Sequence, residues 1–87
     1  MSQYTLVKES KETGKLPLEY IYGFDGSLGE YFLTIADPNA EDYFPIVGTL
    51  ANVHGNRYNM LDAFEALGIT YDVPAIHREL IQLDLPL

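Results

Sequence analysis

Residues 18–36 carry the clearest pattern in the chain, an alternation of large apolar residues with other residues on both sides of a turn. Asp25, Gly26 and Ser27 supply the turn chemistry between the two runs. A side-chain period of two is typical of half-buried strands, so the pattern predicts a β-hairpin. Its large members are Leu18, Tyr20, Tyr22, Phe24, Tyr31, Leu33 and Ile35.

A two-residue tip at Gly26 and Ser27 sets the expected register of this hairpin. It gathers the large side chains on one face, whereas a slip by one residue would split them between two faces. The other face is only half polar, with Glu19, Ile21, Glu30 and Phe32, so part of it is available to another element or a partner. The predicted pairs are Phe24 with Gly29, Tyr22 with Tyr31, Tyr20 with Leu33, and Leu18 with Ile35.

Other strand signals are weaker. Residues 4–7 predict a short strand, and the apolar residues 43–50 form a further strand only at an edge or bulge, because Pro45 cannot donate to a ladder. Residues 54–56 have the composition of a turn. The sheet is therefore expected to hold three antiparallel strands, or four if residues 43–50 form one.

The C-terminal third changes to a helical period. Asn59 is the expected N-cap of a first helix, with Asp62 near its positive end, and Gly68 suits the left-handed position after its last turn. A second helix is expected to be capped by Asp72 or Val73 and to carry Pro74 in its first turn. The apolar stripes are Met60, Leu61, Phe64 and Leu67 in the first helix and Ile76, Leu80 and Leu83 in the second.

These elements predict a single small α+β domain over residues 1–87, in which a small antiparallel sheet packs against a C-terminal helical hairpin. A chain of 87 residues buries about 64% of its extended surface, which supports a modest core. The chain has no cysteine, so disulfides, thiolate nucleophiles and cysteine-based metal sites are excluded. The N-terminal residues lack the pattern of a secretion signal, and a cytoplasmic location is the expectation.

Charge restricts the partners further. Thirteen acidic residues against five basic ones give a net charge of −8, which disfavours nucleic acids and anionic membranes as direct partners. Residues 16–56 contain six acidic residues and no Lys or Arg, together with seven of the eleven aromatic residues. The acidity is therefore regional.

Catalytic and metal motifs are absent from the sequence. A nucleophile elbow requires a glycine two positions before the serine, and Asp25 stands at that position before Ser27. Residues 37–41 begin like a calcium-binding loop, but Asp42 replaces the required glycine. His54 and His77 show no spacing to other ligands or to a nucleophile. We expect no cofactor, no resident metal and no enzymatic activity.

Aromatic residues beside carboxylates are typical of a surface that docks on a basic protein. The leading hypothesis is a small acidic inhibitor or adaptor, in its narrower form a nucleic-acid mimic that blocks a nucleic-acid enzyme. Acidic proteins of phages and mobile elements that counter host defences are similar in size and charge alone. The candidate partner-binding residues are Glu19, Asp25, Glu30, Phe32, Asp37, Glu41, Asp42, Tyr43 and Phe44.

Two alternatives stay open at this stage. In the first, the acidic segment only makes the protein soluble, and the chain is a homo-oligomerising structural or accessory subunit. Its half-apolar sheet face or an uncovered strand edge then pairs with a second copy. A ligand-binding or catalytic domain requires a pocket in which His54 or His77 meets a carboxylate.

Overall fold

Five strands and two helices make up the regular structure of residues 2–9, 13–39, 45–46 and 52–87, which the computed structural model describes. The strands are β1 (Ser2–Lys8), β2 (Leu18–Asp25), β3 (Glu30–Ala36), β4 (Pro45–Ile46) and β5 (Asn52–Gly55), and the helices are α1 (Arg57–Ala66) and α2 (Ala75–Gln82). The predicted α+β class, with the helices on an antiparallel sheet, is confirmed. None of the helices in these ranges has the length and apolar character that crossing a membrane requires.

The sheet has four strand positions filled by five segments. β1, β2 and β3 lie side by side, and both β4 and β5 pair with β3 on its far side. Ile46 lies opposite Ile35, and Val53 lies opposite Leu33, so the two short strands occupy successive parts of one position. Of the predicted strand over residues 43–50, only Pro45–Ile46 lies within the described residues, and it is a strand.

The hairpin register differs from the prediction by two residues. Tyr22 lies opposite Leu33 and Tyr20 opposite Ile35, because the loop contains four residues, 26–29, and not two. Gly29 adopts a left-handed backbone with φ of 66° and donates its N–H to the Asp25 carbonyl at 2.8 Å. A shift by two keeps every side chain on its predicted face, which is why the hydrophobic pattern alone could not detect it.

The core lies between the sheet and the two helices. The odd-numbered residues of β3 and the even-numbered residues of β2 point into it, as predicted. Residues of the two helices cover the core on the side opposite the sheet. Its buried side chains are Tyr20, Tyr22, Tyr31, Leu33, Ile35, Met60, Ala63, Phe64, Ile69, Val73 and Ile81.

The start of α1 corrects two predictions. Residues 52–55 form β5, so the expected turn at 54–56 is wrong, and the N-cap is Asn56, not Asn59. The Asn56 side chain accepts from the N–H groups of Tyr58 and Asn59, and the Asn59 side chain accepts from the Asn56 N–H at 3.1 Å. Asn59 therefore serves as the third residue of a capping box.

The end of α1 agrees with the prediction. Gly68 has φ of 70°, and the N–H of Ile69 donates to the Phe64 carbonyl at 3.0 Å. This is a Schellman ending, in which the buried Ile69 makes the accompanying apolar contact.

α2 is rotated relative to the prediction. Pro74 is its N-cap without a side-chain bond, and the inward positions are Val73, His77 and Ile81. Ile76 and Leu83 of the predicted buried stripe are 58% and 60% exposed. The predicted stripe has helical spacing, but the face that packs against the core is the one that carries His77 and Ile81.

Phe64 provides a direct test of the core, because its side chain is fully buried between the helices and the sheet. We expect Phe64→Ala to lower the free energy of unfolding by about 3–5 kcal/mol, through lost burial and a residual cavity. Urea unfolding measures the change. Leu28→Ala at the exposed hairpin tip serves as the control and should change stability by less than about 0.5 kcal/mol; equal effects of the two substitutions would show that Phe64 is misplaced.

Candidate partner-binding face

One face of the sheet is turned away from both helices. It carries the odd-numbered positions of β1 and β2 and the even-numbered positions of β3 and β5, because the alternate positions point into the core. We call this surface the open face. Its side chains are Gln3, Thr5, Val7, Glu19, Ile21, Asp25, Glu30, Phe32, Thr34 and His54.

Phe32 lies at the centre of the open face. It is opposite Gly23 on one side and His54 on the other, and its ring centroid is 6.3 Å from that of His54. A Cβ atom at Gly23 would approach the Phe32 ring to 3.0 Å, so the ring lies against the bare backbone of β2. Phe32 is consequently half-buried and held in place, with one side of the ring available to a partner.

Carboxylates lie at both ends of the open face. Asp25 and Glu30 are directly opposite each other beside the hairpin loop, and Glu19 lies opposite Ala36 at the other end. Like charges placed opposite each other on neighbouring strands are unfavourable. One oxygen of Asp25 also accepts the Ser27 N–H at 3.0 Å, which fixes the carboxylate beside the loop.

The basic side chains whose bonds are defined lie on the helical side of the molecule. Lys8 reaches from the end of β1 to the Asp72 carboxylate at 3.2 Å and the Gly68 carbonyl at 3.0 Å. Arg57 donates to the Gln82 carbonyl at 2.8 Å, and Arg78 lies 5.4 Å from the centre of the Tyr71 ring. The strand positions that make up the open face include carboxylates, and none of them is Lys or Arg.

The structure brings together only some of the candidate residues. Glu19, Asp25, Glu30 and Phe32 share the open face, whereas Asp37 follows β3 and accepts the Asn39 N–H at 2.8 Å within a tight turn. The remaining candidates, Glu41, Asp42, Tyr43 and Phe44, lie outside the described residues.

Sequence reasoning missed a hydrogen-bonded aromatic cluster around His77. Its Nδ1 atom lies 2.7 Å from the Tyr22 hydroxyl oxygen, and its ring centroid is 4.2 Å from that of Tyr4. The histidine is thus part of the packed face of α2. The four-residue spacing of Val73, His77 and Ile81 was the signal that could have shown this.

Two clefts of the described surface have no histidine in their lining. One cleft of about 330 Å³ lies near Lys8, Leu18 and Asp37, and another of about 330 Å³ lies between the helices near Glu65 and Arg78. Neither His54 nor His77 lines them. Within residues 2–9, 13–39, 45–46 and 52–87, no three His, Asp or Glu side chains converge to hold a metal ion.

The buried tyrosines predict a loss of stability at alkaline pH. Burial raises the pKa of the Tyr22 hydroxyl above 10.0, and the neighbouring Tyr4 adds to the rise. Above pH 10 the unfolded chain therefore releases this proton before the folded protein does, and the free energy of unfolding falls as pH rises through the folded pKa. Burial raises the pKa of Tyr31 in the same direction, with Asp84 adding to the rise and Arg57 opposing it.

Urea unfolding at a series of pH values, combined with tyrosinate absorbance, measures this loss. Tyr22→Phe should flatten the decline above pH 10, whereas Tyr71→Phe, at a 90% exposed position, should leave it unchanged. An unaltered decline in Tyr22→Phe would contradict the assignment.

Comparisons with protein-family models, with curated proteins and with solved structures find no match to this chain. Its function is therefore inferred from the chemistry of its own residues, of which the open face carries the most distinctive set.

Proposed function

We propose that this protein is a small, non-catalytic, acidic binding module that docks its open face on a basic surface of a partner protein, as an inhibitor or adaptor. The observation that carries the proposal is the joint presence of opposed Asp25 and Glu30, the central Phe32, and no described Lys or Arg on that face. The chain contains no cysteine, so its stability does not require an oxidising compartment, and the cytoplasm is the proposed location.

The opposed carboxylates make the face selective for cations. In the free protein, the register of Asp25 and Glu30 places two negative charges side by side. A Lys or Arg side chain inserted between them removes that repulsion and gains charge-assisted hydrogen bonds. Part of the binding free energy therefore comes from relief of an unfavourable contact in the free module.

Phe32 supplies the apolar part of the contact. Aromatic anchors at the centre of a patch carry much of the affinity of protein interfaces, while surrounding charges mainly accelerate association and suppress wrong partners. Phe32 is already held against Gly23, so little side-chain entropy is lost when a partner covers it.

A nucleic-acid enzyme is the narrower proposal for the partner. Glu19 and Asp25 are six residues apart on β2, which corresponds to about 20 Å along the strand. Phosphates follow one another much more closely along a nucleic-acid strand. Glu19 and Asp25 would thus bind two separated basic sites of such an enzyme, with Phe32 between them, and would not imitate a continuous phosphate backbone.

NMR titration with an arginine-rich peptide tests the location of the basic-binding surface. We expect chemical-shift changes to concentrate at Asp25, Glu30 and Phe32 and to weaken with added salt, because exposed charges are screened. Equal changes around Glu65 and Glu79, which are exposed carboxylates on the helices, would contradict a localised site.

Substitution of Glu30 separates function from stability. Glu30→Gln should raise the free energy of unfolding by roughly 0.2–1 kcal/mol by relieving Asp25, yet weaken binding of the peptide. Glu79→Gln on α2 removes the same charge and is the matched control, with binding nearly unchanged. Urea unfolding and calorimetric titration give the two readouts, and loss of stability in Glu30→Gln without weaker binding would refute the role of this carboxylate.

A further inference from the structure

Among the described residues, β1 forms an edge of the sheet with a strand on one side only. It pairs with β2 on one side, and no other described strand pairs with it. An edge strand directs the N–H and C=O groups of alternate residues outward, where they are available to another strand. Edges of monomeric proteins are commonly guarded by charges, proline or bulges, but residues 2–7 of β1 contain no charge and no proline.

The exposed apolar flank of α2 lies at the same margin of the molecule. His77 and Ile81 turn toward the core, while Arg78 and Gln82 line the cleft shared with Leu61 and Glu65 of α1. Ile76 and Leu80 therefore occupy the flank that faces away from α1, and Leu83 continues this flank at the C-terminal end of α2. Ile76 is 58% exposed and Leu83 60% exposed, so the described part of the chain leaves most of this flank uncovered.

The aromatic contacts of His77 place this flank beside β1. Its ring lies 4.2 Å from that of Tyr4 on β1 and 5.7 Å from that of Tyr22 on β2, measured between centroids. α2 consequently lies over the β1–β2 pair, on the β1 side of the helical layer.

We infer that this margin is a homodimer interface, in which β1 pairs antiparallel with β1 of a second copy about a two-fold axis at Thr5. Thr5 is the middle residue of the seven in β1, so full pairing of the strands places it opposite its own counterpart. The two sheets then form one continuous sheet, and the flanks formed by Ile76, Leu80 and Leu83 cover each other.

The helix spacing fits this arrangement. Paired strands lie about 4.8 Å apart, so two helices that each lie over the midpoint of a β1–β2 pair are separated by roughly 10 Å. Packed helices in proteins are 8–10 Å apart. The same two-fold axis therefore pairs the two strand edges and brings the two apolar flanks into contact.

Charge favours a second copy at this edge. Each chain carries a net charge of −8, so association is least opposed where carboxylates are absent. β2 and β3 carry Glu19, Asp25 and Glu30, whereas the sole charge of β1 is Lys8, which is already bonded to Asp72. The interface leaves both open faces uncovered, and it stands independently of the function proposed for them.

Light scattering coupled to size exclusion tests the dimer. Over a concentration range of about 5–500 µM, the measured mass should exceed the 9.8 kDa of one chain and approach twice that value at the upper end. Ile76→Lys should shift the protein to the monomer, because it places a charge on each side of the axis. Leu28→Lys makes a similar change at a 63% exposed position on the hairpin tip and should leave the dimer intact.

Thermal melts followed by circular dichroism establish that both lysine variants fold. A monomer throughout the concentration range, or equal effects of the two variants, would overturn the inference.

Disulfide trapping tests the register. Antiparallel neighbours have Cα atoms about 4.5–5.5 Å apart, which a disulfide can bridge, and the chain contains no other cysteine. Under mild oxidation, Thr5→Cys should give a covalent dimer much faster than Ser27→Cys at the exposed hairpin tip. Equal rates would refute pairing of β1 about Thr5.

Discussion

The hydroxyl group of Tyr22 is the constraint on which the rest of the structure depends. Its side chain is 2% exposed, and a buried hydroxyl without a partner is costly. His77 meets this need at 2.7 Å and thereby fixes the rotation of α2. Ile81 is turned into the core by that rotation, while Ile76 and Leu83 are turned out of it. This part-buried contact acts together with the burial of Val73 and Ile81, and the same rotation leaves Ile76 and Leu83 exposed.

The two faces of the sheet differ in where the basic side chains lie. Lys8, Arg57 and Arg78 all find acceptors or aromatic rings among the helices and their connections, where Gly68, Gln82 and Val73 offer backbone carbonyls. The open face retains acidic residues around the half-buried ring of Phe32. Basic side chains that serve the fold are thereby removed from the surface proposed to recognise basic partners.

The sequence pattern was sufficient for the α+β class, the inward face of the hairpin and the glycine ending of α1, because each depends on local periodicity or backbone sterics. It could not determine the hairpin register, since a shift by two residues leaves every side chain on the same face. It placed the cap at Asn59 and was wrong, because Asn56 carries the same side chain three residues earlier and occupies that position. The rotation of α2 follows from a contact with Tyr22, 55 residues away. For the candidate site, the strand period grouped Glu19, Glu30 and Phe32, whereas the turn formed by Asp37 is a local detail.

The capping box of α1 has a mechanical consequence. β5 ends at Gly55, Asn56 is the cap, and α1 begins at Arg57, so strand and helix meet at a corner with no linker residue between them. Reciprocal side-chain bonds between Asn56 and Asn59 brace this corner. Because His54 lies only two residues before the cap, its position on the open face and the start of α1 are joined through this short braced connection.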